Sequence, residues 1–156
     1  MFKKMLLFFI VAVVLYGCDN IEQSTSDQEK FSTFESALTN FNESAGKNLV
    51  FVNTTKGDNL LLAEDNGEFF YVGEVREENA QYISRKITSR LDISTGGGGV
   101  EVLLPEAEMN YYIAIKENSM IDSDKQSFFP FSDNKSFQVL SKKDGKTMIE
   151  SYEKIK

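Results

Sequence analysis

The chain has few side chains with which to do chemistry, because its 156 residues include no histidine and a single cysteine, Cys18. The absence of histidine excludes Ser-His-Asp and Cys-His nucleophilic pairs, imidazole general bases and imidazole zinc ligands. Glu101, Glu106 and Glu108 lie close in sequence and offer the carboxylate pair that glycoside hydrolysis uses. Neighbouring glutamates are expected by chance in so acidic a chain, and we therefore predict that the protein is not an enzyme.

Two other motifs match ligand sites only in part. The segment Asp122-Ser123-Asp124 begins like a calcium loop, but Ser127 and Asp133 stand where such a loop needs glycine and usually has glutamate. The glycine run 96–99 is not followed by the lysine and hydroxyl residue of a phosphate loop, and residues 100–104 have the pattern of a strand. We therefore predict no metal and no cofactor, and we interpret the glycine run as a mobile hairpin tip that could meet a partner.

The amino terminus has the layout of an export signal. A basic tip precedes an apolar run at residues 5–16, which is too short to span a bilayer as a mature helix. Leu15 stands three residues before Cys18, and the small residue Gly17 stands directly before it. This segment resembles the signal peptide and lipobox of bacterial lipoproteins.

The resemblance implies that a diacylglyceryl group joins the Cys18 sulfur and that the signal is cleaved after Gly17. The expected organisation is a signal peptide at 1–17, a lipidated tether at 18–25 and a single globular domain at 26–156. Asp19 resembles the residue that retains lipoproteins of enteric bacteria in the inner membrane. We therefore expect a cell-envelope protein, with the periplasmic face of the inner membrane favoured over the outer membrane.

Charge narrows the class of partner. The formal charge is −7, and loss of Lys3 and Lys4 with the signal leaves about −9. Such a chain is a poor binder of nucleic acid, which needs clustered Lys and Arg, and it attracts basic partners. The expected function is a non-enzymatic protein-binding module anchored in the membrane, one version being an inhibitor or immunity-type protein that neutralises a basic envelope protein. A small-ligand-binding lipoprotein, with a pocket between helix and sheet, is the alternative, followed by a carboxylate-based hydrolase.

The most unusual mature motif is Phe128-Phe129-Pro130-Phe131. A proline lacks the amide donor of a central strand, so this segment cannot be one. If exposed, Phe128, Phe129 and Phe131 would form an apolar patch that binds a partner. The alternative is that the three rings fold inward and close one end of the sheet.

Periodicity and turn signals predict one helix followed by strands. Ser26 and Glu29 form a capping-box pattern, and an apolar stripe continues at helical spacing to Ala45, which predicts a helix over 26–45. Short β-type runs follow, separated by turn signals such as Asn66-Gly67. The runs 60–62 and 69–72 are continuously apolar, which indicates that both faces of these strands are covered.

Residues 80–94 fit the spacing of a helix and of a strand, and their β-branched content favours the strand. The remaining runs end in a final hairpin between about residues 136 and 152. We predict an α+β fold in which one N-terminal amphipathic helix packs on an antiparallel sheet of about six to seven strands.

Overall fold

The computed structural model describes residues 29–44, 48–104, 109–122 and 127–155. The elements in chain order are β1 (Lys30–Phe31), α1 (Phe34–Ser44), β2 (Asn48–Thr54), β3 (Asn59–Asp65), β4 (Phe69–Glu78), β5 (Gln81–Lys86), β6 (Leu91–Asp92), β7 (Gly97–Leu103), β8 (Asn110–Glu117), β9 (Phe129–Pro130), β10 (Lys135–Ser141) and β11 (Ile149–Ile155). A short 3₁₀ turn, Asn118–Met120, follows β8.

The strands form two antiparallel sheets. Sheet A has seven strands in the order β1-β5-β4-β3-β2-β11, with β6 also paired to β4, and sheet B has the order β7-β8-β10-β9. The prediction of antiparallel strands with one helix is confirmed, but the fold is mostly β and contains two sheets. The sequence did not show this division, because it depends on which strands pair at long range.

Sheet A lies between two apolar layers. One face carries alternate residues such as Val50, Leu62 and Val72 into a core shared with Ile113 and Val139 of sheet B. The other face packs against α1 through a second, smaller cluster that includes Phe41 and Tyr71. Coverage on both faces explains the continuous apolar runs of β3 and β4, as the sequence predicted.

The helix is shorter than predicted and is not N-terminal among the described elements. It begins at Phe34, and the Thr33 hydroxyl caps it by accepting the Ser36 amide at 3.1 Å. Phe31, expected in the helix, lies in β1 and is opposite Tyr82 of β5. The predicted cap Ser26 lies outside the described residues. Thr33 is an equally good cap, and pairing of β1 with β5 takes the preceding residues out of the helix.

One glycine fixes how closely α1 approaches the sheet. The Phe41 ring lies directly over Gly73 of β4, where a Cβ atom would overlap it. The same ring packs against Tyr71 with their centroids 5.9 Å apart. Side chains therefore fill this part of the helix–sheet interface, which disfavours the ligand pocket that the sequence left open there.

The predicted Asn66-Gly67 hairpin and the predicted strand over 80–94 are found, the latter with one refinement. The predicted final hairpin over about 136–152 is wrong, because β10 pairs with β8 and β9 in sheet B whereas β11 pairs with β2 in sheet A. Asn66 and Gly67 both have positive φ, 56° and 76°, as the tight β3–β4 hairpin requires. The 80–94 segment forms two strands, β5 and β6, which both pair with β4. Between them, the Thr88 hydroxyl accepts a hydrogen bond from the Val72 amide at 2.9 Å. This side-chain contact interrupts the regular ladder of backbone hydrogen bonds.

A buried ion pair joins the two sheets at one end of the shared core. Lys135 of β10 donates to Glu64 of β3 at 3.1 Å and to the Gly67 carbonyl at 2.8 Å. The second Glu64 oxygen accepts the Asn48 side-chain amide at 2.5 Å. Both charged side chains are more than nine-tenths buried, so their charges depend on these partners for compensation.

Candidate functional site

Sheet B has one face that no described element covers. Its inner face supplies the shared core, whereas strand alternation turns every second residue outward. We call this the outer face of sheet B, and it consists of Gly97, Gly99, Glu101 and Leu103 of β7, Asn110, Tyr112, Ala114 and Lys116 of β8, and Ser136, Gln138 and Leu140 of β10. The central strands of sheet A are covered on both faces, by α1 and by sheet B, whereas its edge strand β11 is largely exposed. The outer face of sheet B is thus an exposed sheet surface that spans several strands among the described residues.

Three exposed large apolar side chains lie on this side of the molecule, with Tyr112 and Met120 together at one groove and Leu103 at the other end of β7. Leu103 is 68% exposed, Tyr112 is 37% exposed, and Met120, in the turn after β8, is 57% exposed. Tyr152 of β11 is the only other large apolar residue that is similarly exposed within the described ranges. Grouped apolar side chains on an otherwise polar surface mark interaction sites more often than single ones do.

A groove runs along the outer face where β7 lacks side chains. Gly97, Gly99 and Ala114 line its base, and Tyr112 and Met120 form part of its walls. The groove has a volume of about 360 Å³. The Tyr112 hydroxyl lies so close to Gly99 that a Cβ atom there would overlap it. Glycine in a strand weakens the strand and often marks the close approach of another group, and here the approach of Tyr112 to Gly99 and of the Ile115 carbonyl to Gly97 leaves no room for a side chain.

The glycine run is therefore not the mobile hairpin tip that the sequence suggested. Gly97, Gly98 and Gly99 pair in regular register with Lys116, Ile115 and Ala114 of β8. Only Gly96 is in the preceding turn, with a φ of 102° that favours glycine. Sequence reasoning missed this groove, and its available signal was a glycine run joined without interruption to the strand-like run at 100–104.

Charges flank the groove on both sides. The Lys116 ammonium lies 5.6 Å from the centroid of the Phe128 ring, in a cation–π contact. Glu101 of β7 forms an exposed ion pair with Lys142, which directly follows β10 and reaches across β8. Gln138 is buried on this face, and its Oε1 atom has no hydrogen-bond partner among the described residues. The face thus combines apolar area, paired charges and one unused acceptor.

The phenylalanine segment is mostly part of the core. Phe131 is 1% exposed and its ring centroid lies 6.3 Å from that of Phe137. Phe129 is partly buried in the two-residue edge strand β9 and packs on Phe137 and Tyr152 at 5.9 and 5.3 Å. This is the alternative in which the rings close one end of the sheet. It is favoured because removing the apolar area of the rings from water stabilises the fold. Phe128, half-buried beside Lys116, is the ring nearest the groove.

The other residues singled out in the sequence do not assemble into a site. Glu101 pairs with Lys142, whereas Glu106, Glu108 and most of the calcium-like segment lie outside the described residues. Where the chain is described, no three His, Cys, Asp or Glu side chains come together as a metal site would need. Cys18 and Asp19 also lie outside the described ranges. No described helix is long and apolar enough to span a bilayer.

Tyr111 is next to Tyr112 but faces inward, and the pKa of its hydroxyl is strongly raised. Burial and a hydrogen bond to the Asp58 carboxylate raise the pKa of the Tyr111 hydroxyl to about 12. The same oxygen lies 3.2 Å from the Thr54 hydroxyl, which is fully buried. This network joins β8 to the β2–β3 turn, so it supports the strand that presents Tyr112 and Lys116 outward.

Tyr111→Phe is expected to lower the free energy of unfolding by about 1–2 kcal/mol at neutral pH, because the Asp58 carboxylate loses its donor. The folded-state pKa exceeds the value of about 10 in the unfolded chain. The stabilisation is therefore complete below about pH 10 and is lost as the pH rises through about 12. Urea unfolding of both proteins over this interval tests it. Burial also raises the pKa of Tyr71. The quantity to compare is therefore the difference in unfolding free energy between wild type and variant at each pH. A difference independent of pH would contradict the assignment.

Comparisons with protein-family models, curated proteins and solved structures return no match to this chain.

Proposed function

We propose that the protein is a lipid-anchored module of the bacterial cell envelope that binds another protein through the outer face of sheet B. The observation that carries the proposal is the uncovered face itself, with Tyr112 and Met120 exposed at the glycine groove and Leu103 exposed at the other end of β7. The lipobox at Cys18 supplies the anchor, and the absence of histidine removes most catalytic arrangements. An inhibitor or immunity-type role toward a basic envelope protein fits the net charge of −7.

The small-ligand alternative has less support. Its pocket was expected between helix and sheet, where Phe41, Tyr71 and Gly73 are in tight contact. The groove on sheet B is open along one side of the molecule and is bordered by exposed apolar side chains, which suits a macromolecular surface better than an enclosed small molecule. The hydrolase alternative would need a second carboxylate near Glu101, whose described ionic partner is Lys142.

Cys18→Ser is expected to abolish incorporation of labelled palmitate and to move the protein from the detergent phase to the aqueous phase. Each buried methylene contributes about 0.8 kcal/mol, so loss of two or more chains removes the anchor. Asp19→Asn is the matched control, because it keeps the sulfur and should keep the label while weakening retention in the inner membrane. Equal labelling of the wild type and Cys18→Ser would exclude the lipoprotein assignment.

A photoreactive side chain at Tyr112 is expected to form an adduct with one envelope protein in living cells. Leu103→Asp should lower the adduct yield about ten-fold, because it replaces an exposed apolar side chain of the proposed interface with a charge. Thr39→Asp, a charge added to the exposed side of α1, is the control and should leave the yield unchanged. An adduct equally sensitive to both changes, or to neither, would rule out the outer face of sheet B as the interface.

A further inference from the structure

We propose that the partner supplies an extended segment that joins the free edge of β7 as an additional strand, with alternate side chains seated over the glycine groove. This inference rests on the proposed function and specifies the mode of binding and the chemistry of the bound segment. The occupant we infer is an extended stretch of another protein, apolar at alternate positions and carrying Lys or Arg.

Within the described residues, one edge of strand β7 has no strand partner, although Asp92 of β6 lies against Gly98 near its start. It is the first strand of sheet B and pairs with β8 alone in the sheet order. Proteins usually protect long edge strands with charged side chains, proline or bulges. The edge strand β11 of sheet A follows this rule, with exposed Glu150, Glu153 and Lys154 and a register shift near its start. The seven residues of β7 have regular register, include three glycines and carry one charge, Glu101.

The backbone pattern shows which groups of β7 point away from β8. The Glu117 amide donates to the Gly96 carbonyl at 2.7 Å, which makes this opposed pair a hydrogen-bonded one. Hydrogen-bonded and non-hydrogen-bonded pairs alternate along an antiparallel ladder. Because the register is regular, the backbone N–H and C=O groups of Gly98, Val100 and Val102 point toward β8. Gly99, Glu101 and Leu103 direct their N–H and C=O groups to the free edge.

The groove gives the added strand a place for its side chains. Neighbouring strands place their side chains side by side on each face, so an incoming residue next to Gly97 would lie beside a position without a side chain. At Gly99 it would meet the Tyr112 hydroxyl, which already covers that glycine. Tyr112 borders that space from the β8 side and Met120 from the turn. In other complexes formed by strand addition, backbone hydrogen bonds give affinity, and pockets for alternate side chains give specificity.

Charge selects among the possible occupants. Glu101, the one charged residue of β7, is already paired with Lys142, and Lys116 lies at the groove, so the preference for a basic segment over an anionic lipid surface rests on the net charge of −7 of the whole chain. A second copy of this chain is also disfavoured. Antiparallel pairing of β7 with itself, centred on Glu101, would place two glutamates directly opposite each other.

Glu101→Pro tests the inference directly. Proline lacks the amide donor but is tolerated on an edge strand when its N–H side faces away from the ladder. The change should therefore leave the β7–β8 pairing intact and remove one edge donor. With the full lipidated chain in cells and the photoreactive group at Tyr112, we expect Glu101→Pro to lower the adduct yield about ten-fold. Glu101→Thr, which removes the same charge but keeps the amide, should retain most of the yield.

A second measurement does not depend on the folding of the proline variant. Detergent-solubilised wild-type protein is titrated with a labelled peptide of alternating valine and lysine, and with the same peptide methylated on alternate backbone nitrogens. Fluorescence anisotropy should show binding of the first peptide and affinity at least about ten-fold weaker for the second. Equal affinity for the two peptides would overturn strand addition.

The outcomes separate this inference from the proposed function. If Leu103→Asp lowers the adduct yield and Glu101→Pro does not, the face binds its partner without strand addition, and only the inference fails. If neither change matters, both fail. An adduct with the mass of a second copy, or adducts with lipid alone, would overturn the assigned occupant. Loss of the adduct in both Glu101→Pro and Glu101→Thr would assign the effect to charge and would also overturn the role of the free edge.

Discussion

Lys135→Ala is expected to lower the free energy of unfolding by about 3–5 kcal/mol, because it leaves the Glu64 carboxylate buried without its cation. Glu64 lies on β3 of sheet A, so the loss falls on the contact between the two sheets. The Gly67 carbonyl also loses a donor at 2.8 Å. Equilibrium urea unfolding, followed by circular dichroism, measures the change.

The double variant Lys135→Met/Glu64→Gln is the informative control. It removes both charges together while keeping an amide that can face Asn48, the other partner of Glu64. Replacing a buried ion pair with neutral groups of similar volume costs far less than breaking it. We therefore expect the double variant to recover most of the stability lost in Lys135→Ala. A single variant that costs less than about 1 kcal/mol would show that water reaches the Glu64 carboxylate.

The strands can be predicted from local sequence because they end at turn residues that favour a single backbone conformation. Asn66-Gly67 supplies two positive φ values and so fixes the β3–β4 hairpin. The continuous apolar runs of β3 and β4 required cover on both faces, and α1 and sheet B provide it. The start of the helix was less predictable, since Ser26 and Thr33 are both good caps and the choice depends on pairing of Phe31 with β5.

The division into two sheets and the exposed groove depend on contacts that no local pattern encodes. Glu64 and Lys135 are 71 residues apart, and nothing near either one in sequence identifies the other as its partner. The glycines at 97–99 have low strand propensity, so they were interpreted as a loop. Their strand conformation follows from pairing with β8, whose Tyr112 occupies the space that a side chain would need.

Phe131→Ala is expected to cost about 3–5 kcal/mol of unfolding free energy, the range for removing a fully buried phenylalanine ring. The ring is 1% exposed and faces Phe137, so its removal leaves a cavity at the end of the core shared by the sheets. The neighbouring Phe137 ring is itself packed against Phe129 and Tyr152, which limits how far the core can collapse into the space. Urea unfolding and the thermal midpoint both report the loss.

Phe128→Ala is the matched control from the same tetrapeptide, and it distinguishes a core role from a docking role. This ring is half-buried and its described contact is with the Lys116 ammonium, so its removal should cost about 1 kcal/mol or less. If the segment bound a partner through all three rings, the two variants would instead have similar, small effects on stability. Because Phe128 lies beside Lys116 at the groove, we expect its truncation to act on the Tyr112 adduct yield more than on stability. Phe131→Ala should show the reverse order, since a buried ring reaches a partner only by disturbing the fold.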